Sequence, residues 1–263
     1  VIFICSMVVG VSAAWAGQTE LTWYGHSAFK ITTPSGKVLL IDPWITNPAN
    51  KNGKADLAAL THVDLILISH GHFAHVGNAV EIAKRTGAHL VSTSDLGKAL
   101  VAYGGFPKAQ AGLDTQGNFG GELTLLSGEV KVAFIPAIHS SAVMDENGKD
   151  IHGGGNPGGF LISIKDGPVI YHTGDTDVFS DMSLIPRFHK VDVMLACIGG
   201  HFTMGPDRAA LATKMVDPRM VVPMHYGTFP VLDGTPAEFK AALTKQGVKA
   251  KLMVMQPDEM IKL

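Results

Sequence analysis

Ser69-His70-Gly71-His72-Phe73-Ala74-His75 follows an apolar run at 65–68 and precedes Val76-Gly77-Asn78, where helical spacing begins. Three histidines within six residues, at the end of a buried strand, are hard to account for as packing. Imidazoles at i and i+2 can converge from a tight loop on one cation, and a third at i+5 can turn to a neighbouring one. Neutral imidazole is the commonest protein ligand for zinc and also suits iron. The stretch therefore predicts a metal site at the mouth of a sheet.

Working outward, the apolar runs are short, rich in Val and Ile, and separated by Gly, Pro, Asn or Asp, the pattern of many strands. Residues 21–24, 28–32 and 38–41 read as an opening antiparallel set, 65–69 as a fully apolar strand and 89–92 as its successor. Further strands are expected at 122–126, 130–136, 160–164, 169–172, 191–196 and 220–223, with 251–255 closing the chain. Helical spacing marks 79–86, 95–103, 206–216 and 236–246, the last two with Pro in the first turn. Strands with a few interspersed helices suggest two sheets packed together with helices outside. No sequence repeat links the halves, so any duplication is structural only.

Three more chemistry-bearing residues sit at the ends of apolar runs. His139 ends the run 130–138, Asp175 follows 169–171 in His172-Thr173-Gly174-Asp175, and His225 ends 220–224. Together with His70-x-His72-x-Ala74-His75, this order resembles the HxHxDH pattern of the metallo-β-lactamase fold superfamily, over nearly all of residues 17–263. The resemblance implies an α/β fold, an αββα sandwich of two mixed β-sheets with helices on the outer faces, forming a single metallo-hydrolase domain. It also implies two divalent ions, zinc first and manganese or iron as alternatives. His70, His72 and His139 would hold one ion, His75 and His225 the other, and Asp175 would bridge them. Two features are similar to the branch of ascorbate-phosphate lactonases and uncharacterised metal-dependent hydrolases. They are Trp23-Tyr24-Gly25-His26-Ser27 with Ile41-Asp42-Pro43, and Gly199-Gly200-His201-Phe202-Thr203. On that footing His26, Asp42, His172 and His201 are expected to orient ligands or meet the substrate, while His152 lies in a Gly-rich loop at 140–159 that reads as a pocket rim.

Two metal ions can share a hydroxide and polarise a carbonyl or phosphoryl oxygen, so no nucleophilic side chain is needed. Neither a G-x-S-x-G elbow nor a Cys–His pair is present. Ser140 and Ser141 read as hydrogen-bonding neighbours of His139. In the superfamily a carboxylate bridge such as Asp175 goes with lactonases, thioesterases and phosphodiesterases rather than true β-lactamases. The resemblance therefore implies hydrolysis of a lactone or related ester, with phosphodiester, amide or β-lactam hydrolysis as the alternative. Ala74 departs from the pattern, because a methyl can neither ligate a metal nor accept a proton. The intact surroundings are what a single deliberate Asp→Ala replacement leaves. A natural variant or degenerate site is the other reading, and turnover is expected to be impaired. An iron oxidoreductase and a silent ligand-binding relative are the competing classes.

A net charge of −2 with no basic block excludes nucleic acid as an evident partner and leaves a small-molecule substrate. Residues 1–16, apolar, uncharged and ending Ala14-Trp15-Ala16, read as part of a secretory signal peptide. They are short of the roughly 20 residues that span a bilayer. Export to the periplasm or medium, with no membrane attachment after cleavage, is the expectation. Cys197, in an apolar run, is expected to be a buried structural thiol. His62, His89 and His189 lie away from any motif and read as surface or capping residues.

Overall fold

The computed structural model describes residues 18–263; the expected signal segment lies outside them. Two seven-stranded sheets form the centre. The first runs Glu259–Lys262, Glu20–Trp23, Phe29–Thr32, Val38–Ile41, Leu65–Leu67, His89–Thr93, Gln116–Gly117. Its first three pairings are antiparallel and its last three parallel. The second runs Lys251–Leu252, Met220–Met224, Val193–Cys197, Val169–His172, Gly158–Ile164, Val130–Pro136, Glu122–Leu125, three parallel pairings and then three antiparallel. The halves thus share a pairing plan without sharing sequence.

Strand alternation explains the layering. In the first sheet Leu39, Ile41, Leu65 and Leu67 join the core between the sheets. Leu40, Ile66, Ile68 and Leu90 point the other way, onto Ile82 and Ala83 of the helix Ala79–Thr86 and Leu96 and Leu100 of the helix Ser94–Ala102. Such strands, covered on both faces, are apolar throughout, which is why they read as continuous runs. On the second sheet, Val193–Cys197 is wholly buried and the helices Pro206–Val216 and Pro236–Lys245 complete its cover. The latter helix starts in a capping box: the Thr235 hydroxyl accepts from the Glu238 amide, and the Glu238 carboxylate accepts from the Thr235 amide.

Several expectations need correction. The run 251–255 makes only the short strand Lys251–Leu252, and the chain closes instead with Glu259–Lys262, paired to the first strand. That closing strand is largely exposed, so no apolar run announces it. A hairpin of Ala142–Met144 and Ile151–Gly153 was not expected either, nor were the short helices Gly53–Ala59, Phe73–Val76 and Ile185–Phe188. His139 lies three residues beyond its strand, which ends at Pro136. No helix among the described residues is long and apolar enough to cross a membrane.

Candidate metal centre

The parallel strands deliver their side chains to one edge. Val38–Ile41 leads to Asp42, Leu65–Leu67 to His70, Val169–His172 to Asp175 and Met220–Met224 to His225. The antiparallel strand Val130–Pro136 brings His139 from the same side. His72 caps the helix Phe73–Val76, which carries Ala74 and His75. The turn before Asp175 depends on Gly174, at φ 61°, where a Cβ would lie 2.3 Å from the Gly158 carbonyl oxygen.

At the centre is one oxygen, Oδ2 of Asp175. It lies 3.0 Å from Nε2 of His225, 3.1 Å from Nε2 of His75, 3.7 Å from Nε2 of His139 and 3.9 Å from Nε2 of His70. Nδ1 of His72 is 3.0 Å from Nε2 of His70. Among the described residues three groups have donor atoms mutually within 4.8 Å: His70, His72 and His139; His70, His75 and Asp175; and His26, His75 and His225. All six residues expected as ligands are therefore brought together, and His26 joins them.

The surrounding hydrogen bonds set the tautomers. Asp42, fully buried, accepts from the Ser69 amide (2.8 Å), the Ser69 hydroxyl (2.6 Å) and Nδ1–H of His75 (2.7 Å). With its hydroxyl proton committed to Asp42, Ser69 accepts from Nδ1–H of His70 at 3.0 Å. His70 is thus left with an Nε2 lone pair aimed at the centre, while His75 turns its Nε2 to Asp175 (3.1 Å), where a metal ion would take the place of the proton; outer carboxylates orient metal-binding histidines in this way. Three hydrogen bonds also offset the cost of burying the Asp42 charge. Ser69 was not foreseen from sequence. Asp42→Ala is expected to weaken metal binding roughly 10- to 100-fold while leaving the ligands in place; competition of the variant against a chromogenic chelator reads this directly.

Electrostatics point the same way. Burial, then His75, holds the His70 pKa well below the ordinary imidazole value, and burial also lowers His72 and His139. Burial, reinforced by His225 and His75, takes His26 down to about 2. For His75 burial opposes charge, but Asp175 and Asp42 outweigh it and push the pKa up to about 10. Asp175 stays ionised: burial acts against it, yet His225 and His75 hold its pKa well below the carboxylate range. Its other oxygen, Oδ1, is buried without a hydrogen-bond partner. A buried carboxylate with an orphaned oxygen, set beside His70, His72 and His139 whose imidazoles burial keeps from protonating, is a cradle for cations, so the residues fit divalent metal. With imidazole and carboxylate donors and no thiolate, the set suits a divalent ion.

The other expected residues fall into place less uniformly. His172 spends both nitrogens on the fold: Nε2–H donates to the Ser27 carbonyl (3.1 Å) and Nδ1 accepts from the Gly174 amide (3.1 Å). It ties the Asp175 turn to the loop carrying His26. His201 corrects the expectation: it is exposed, its ring packs edge-on against Phe202, and Phe202 is the residue that lines the cavity. His152 likewise turns away, stacking on Tyr103 at 3.7 Å and clasping the hairpin to the helix Ser94–Ala102, while its neighbour Ile151 faces the cavity. Ser140 Oγ comes only to 3.5 Å of His72 Nε2. Cys197 is fully buried, with burial raising its pKa to about 11, so it is no nucleophile. His62 is exposed and pairs with Asp64, and His89 is exposed.

The centre floors a cavity of about 450 Å³. Its upper wall is Phe73, Met144, Ile151, Phe202 and Phe229, with no Lys or Arg in the lining. Phe73, Met144, Ile151 and Phe202 are all exposed. Trp44 backs this wall, stacked on Phe229 and edge-on to Phe73. These apolar residues are scattered along the chain, so no sequence pattern flags them.

A sandwich of two mixed sheets with a histidine-rich centre at one edge defines a metal-dependent hydrolase of the metallo-β-lactamase fold. Residues 20–225 match the β-lactamase superfamily domain, and the chain belongs to that family. It is 58% identical to a UPF0173 metal-dependent hydrolase of Thermodesulfovibrio yellowstonii, over 98% of this chain and 97% of that one. To a UPF0173 metal-dependent hydrolase of Anaeromyxobacter dehalogenans it is 57% identical, over 92% and 85%. Among solved structures, Igni18, a metallo hydrolase from the archaeon Ignicoccus hospitalis, superposes with a TM-score of 0.80 at 39% identity, covering 94% of this chain and 98% of that one.

Proposed function

We propose that the chain hydrolyses a lactone or related ester of apolar character, using two divalent metal ions held by His70, His72, His75, His139, Asp175 and His225. The observation that carries this reading is the pairing of a cation cradle with an apolar, cation-free cavity wall. When bound, the ions lower the pKa of a water molecule and polarise the substrate carbonyl. Asp42 and Ser69 orient His75 and His70. The hairpin and Phe202 exclude water and grip the apolar part of the substrate.

The ions themselves could meet the charge of a phosphodiester's reacting group, but with no Lys or Arg in the lining any further anionic group of such a substrate would face an apolar wall. That disfavours the phosphodiesterase alternative. Ala74 lies on the cavity wall and offers neither a ligand nor a proton acceptor, so turnover is proposed to run below what the same centre would reach with a carboxylate there.

The test is a homologous series of lactones and 4-nitrophenyl esters, with a phosphodiester and a β-lactam alongside. Each methylene that reaches the apolar wall should contribute about 0.8 kcal/mol, or roughly fourfold in kcat/KM. A flat response to chain length, or a preference for the phosphodiester, would contradict the reading.

A further inference from the structure

Ala74 leaves the ion at His75 and His225 one donor short of the superfamily pattern, yet a further imidazole lies beside that position. His26 comes from the loop between the strands Glu20–Trp23 and Phe29–Thr32 and lines the same cavity as Ala74. Its backbone is at φ 49°, in the left-handed region that a non-glycine residue rarely adopts. The turn is closed by the Tyr24 amide on the Ala28 carbonyl (2.8 Å) and the Ala28 amide on the Gly25 carbonyl (3.0 Å). The His26 carbonyl accepts from the His225 amide (2.9 Å) and from the indole N–H of Trp23 (3.0 Å). His26 and His225 are thereby joined through the main chain, with ring centroids 4.0 Å apart.

The ring is oriented as a ligand's would be. Thr228 directs its hydroxyl towards the Tyr226 carbonyl (3.4 Å), and so accepts from Nδ1–H of His26 at 3.0 Å. Nε2 is left with a lone pair on a ring that lines the cavity. The contrast with His172 is informative. That buried histidine commits both nitrogens to backbone groups, as a structural histidine does, whereas His26 commits one. One ring nitrogen from each of His26, His75 and His225 falls within a 4.8 Å cluster.

We propose that His26 replaces the missing carboxylate as a metal ligand, so that His26, His75, His225 and Asp175 hold the second ion and Thr228 fixes the His26 tautomer. This rests on the two-ion reading above, and it makes the chain a histidine-for-carboxylate variant of the centre rather than a degenerate one.

The experiment is titration of the chelator-treated full chain with Zn²⁺ and Co²⁺, reading ions per chain by elemental analysis and Co²⁺ coordination by its visible spectrum. The unaltered chain should take two ions. His26→Ala should keep the first and lose the second by more than about a hundredfold in affinity, with a changed Co²⁺ spectrum. Thr228→Val should weaken the second ion alone, by about tenfold. The double variant His26→Ala/Ala74→Asp should regain two ions, which also shows that the loop still folds. A His26→Ala chain that holds two ions with unchanged affinity and spectrum would overturn the role of His26 while sparing the two-ion reading. An unaltered chain that binds no more than one ion would overturn both.

Discussion

Asp175→Asn is expected to cost kcat/KM on the order of a thousandfold or more, about 4 kcal/mol. The carboxylate is the only anion in the donor set, and four imidazole nitrogens lie within 3.9 Å of its Oδ2. An amide keeps the shape but removes the charge that balances the ions and turns an acceptor pair into a donor and an acceptor. The variant should also bind fewer ions, since both groups meet at this residue. A second readout is independent of turnover. In the metal-free protein Asp175 leads the interactions that hold His75 up at about 10 against burial, so the His75 pKa should fall in the variant, as an NMR titration would show. Retention of both ions and near-normal hydrolysis would mean that the carboxylate only braces the fold.

Ala74→Asp carries the second large effect, in the opposite direction. A carboxylate on this wall can accept a proton from the attacking water, and a positioned general base contributes typically 10²- to 10⁴-fold. A gain in kcat of about 10²-fold is expected, read from steady-state rates on the best ester of the series. Because His26 already completes the second donor set, the number of bound ions should change little. Gain in rate without gain in metal separates the two roles that one aspartate would otherwise combine. An unchanged kcat would show that turnover here does not wait on that proton transfer.

The residues that converge on the candidate centre were legible in sequence because each is local to a strong pattern. His70, His72 and His75 share one short loop, and His139, Asp175 and His225 each follow an apolar run that a buried strand requires. The same logic located the strand Val130–Pro136 and the helices Ala79–Thr86 and Pro206–Val216 at their observed bounds, and the other long strands to within two residues. What escaped depends on contacts distant in sequence. His26 meets Thr228 across 202 positions, and nothing in Gly25-His26-Ser27 distinguishes a ligand from a buried structural histidine. His201 and His152 drew attention by residue type, yet Phe202 and Ile151 face the cavity, because turn geometry and strand alternation decide which neighbour points inward. The hairpin that bears Met144 and Ile151 has strands of three residues, too short for a periodic signal.

A two-ion hydrolytic centre must show itself in metal content and in the response to chelation. The purified chain should carry about two divalent ions, lose ester hydrolysis on exhaustive chelation and regain it on adding Zn²⁺ in proportion to ions rebound. A chain that hydrolyses equally well after complete chelation, or that never holds more than one ion under saturating metal, would contradict the account.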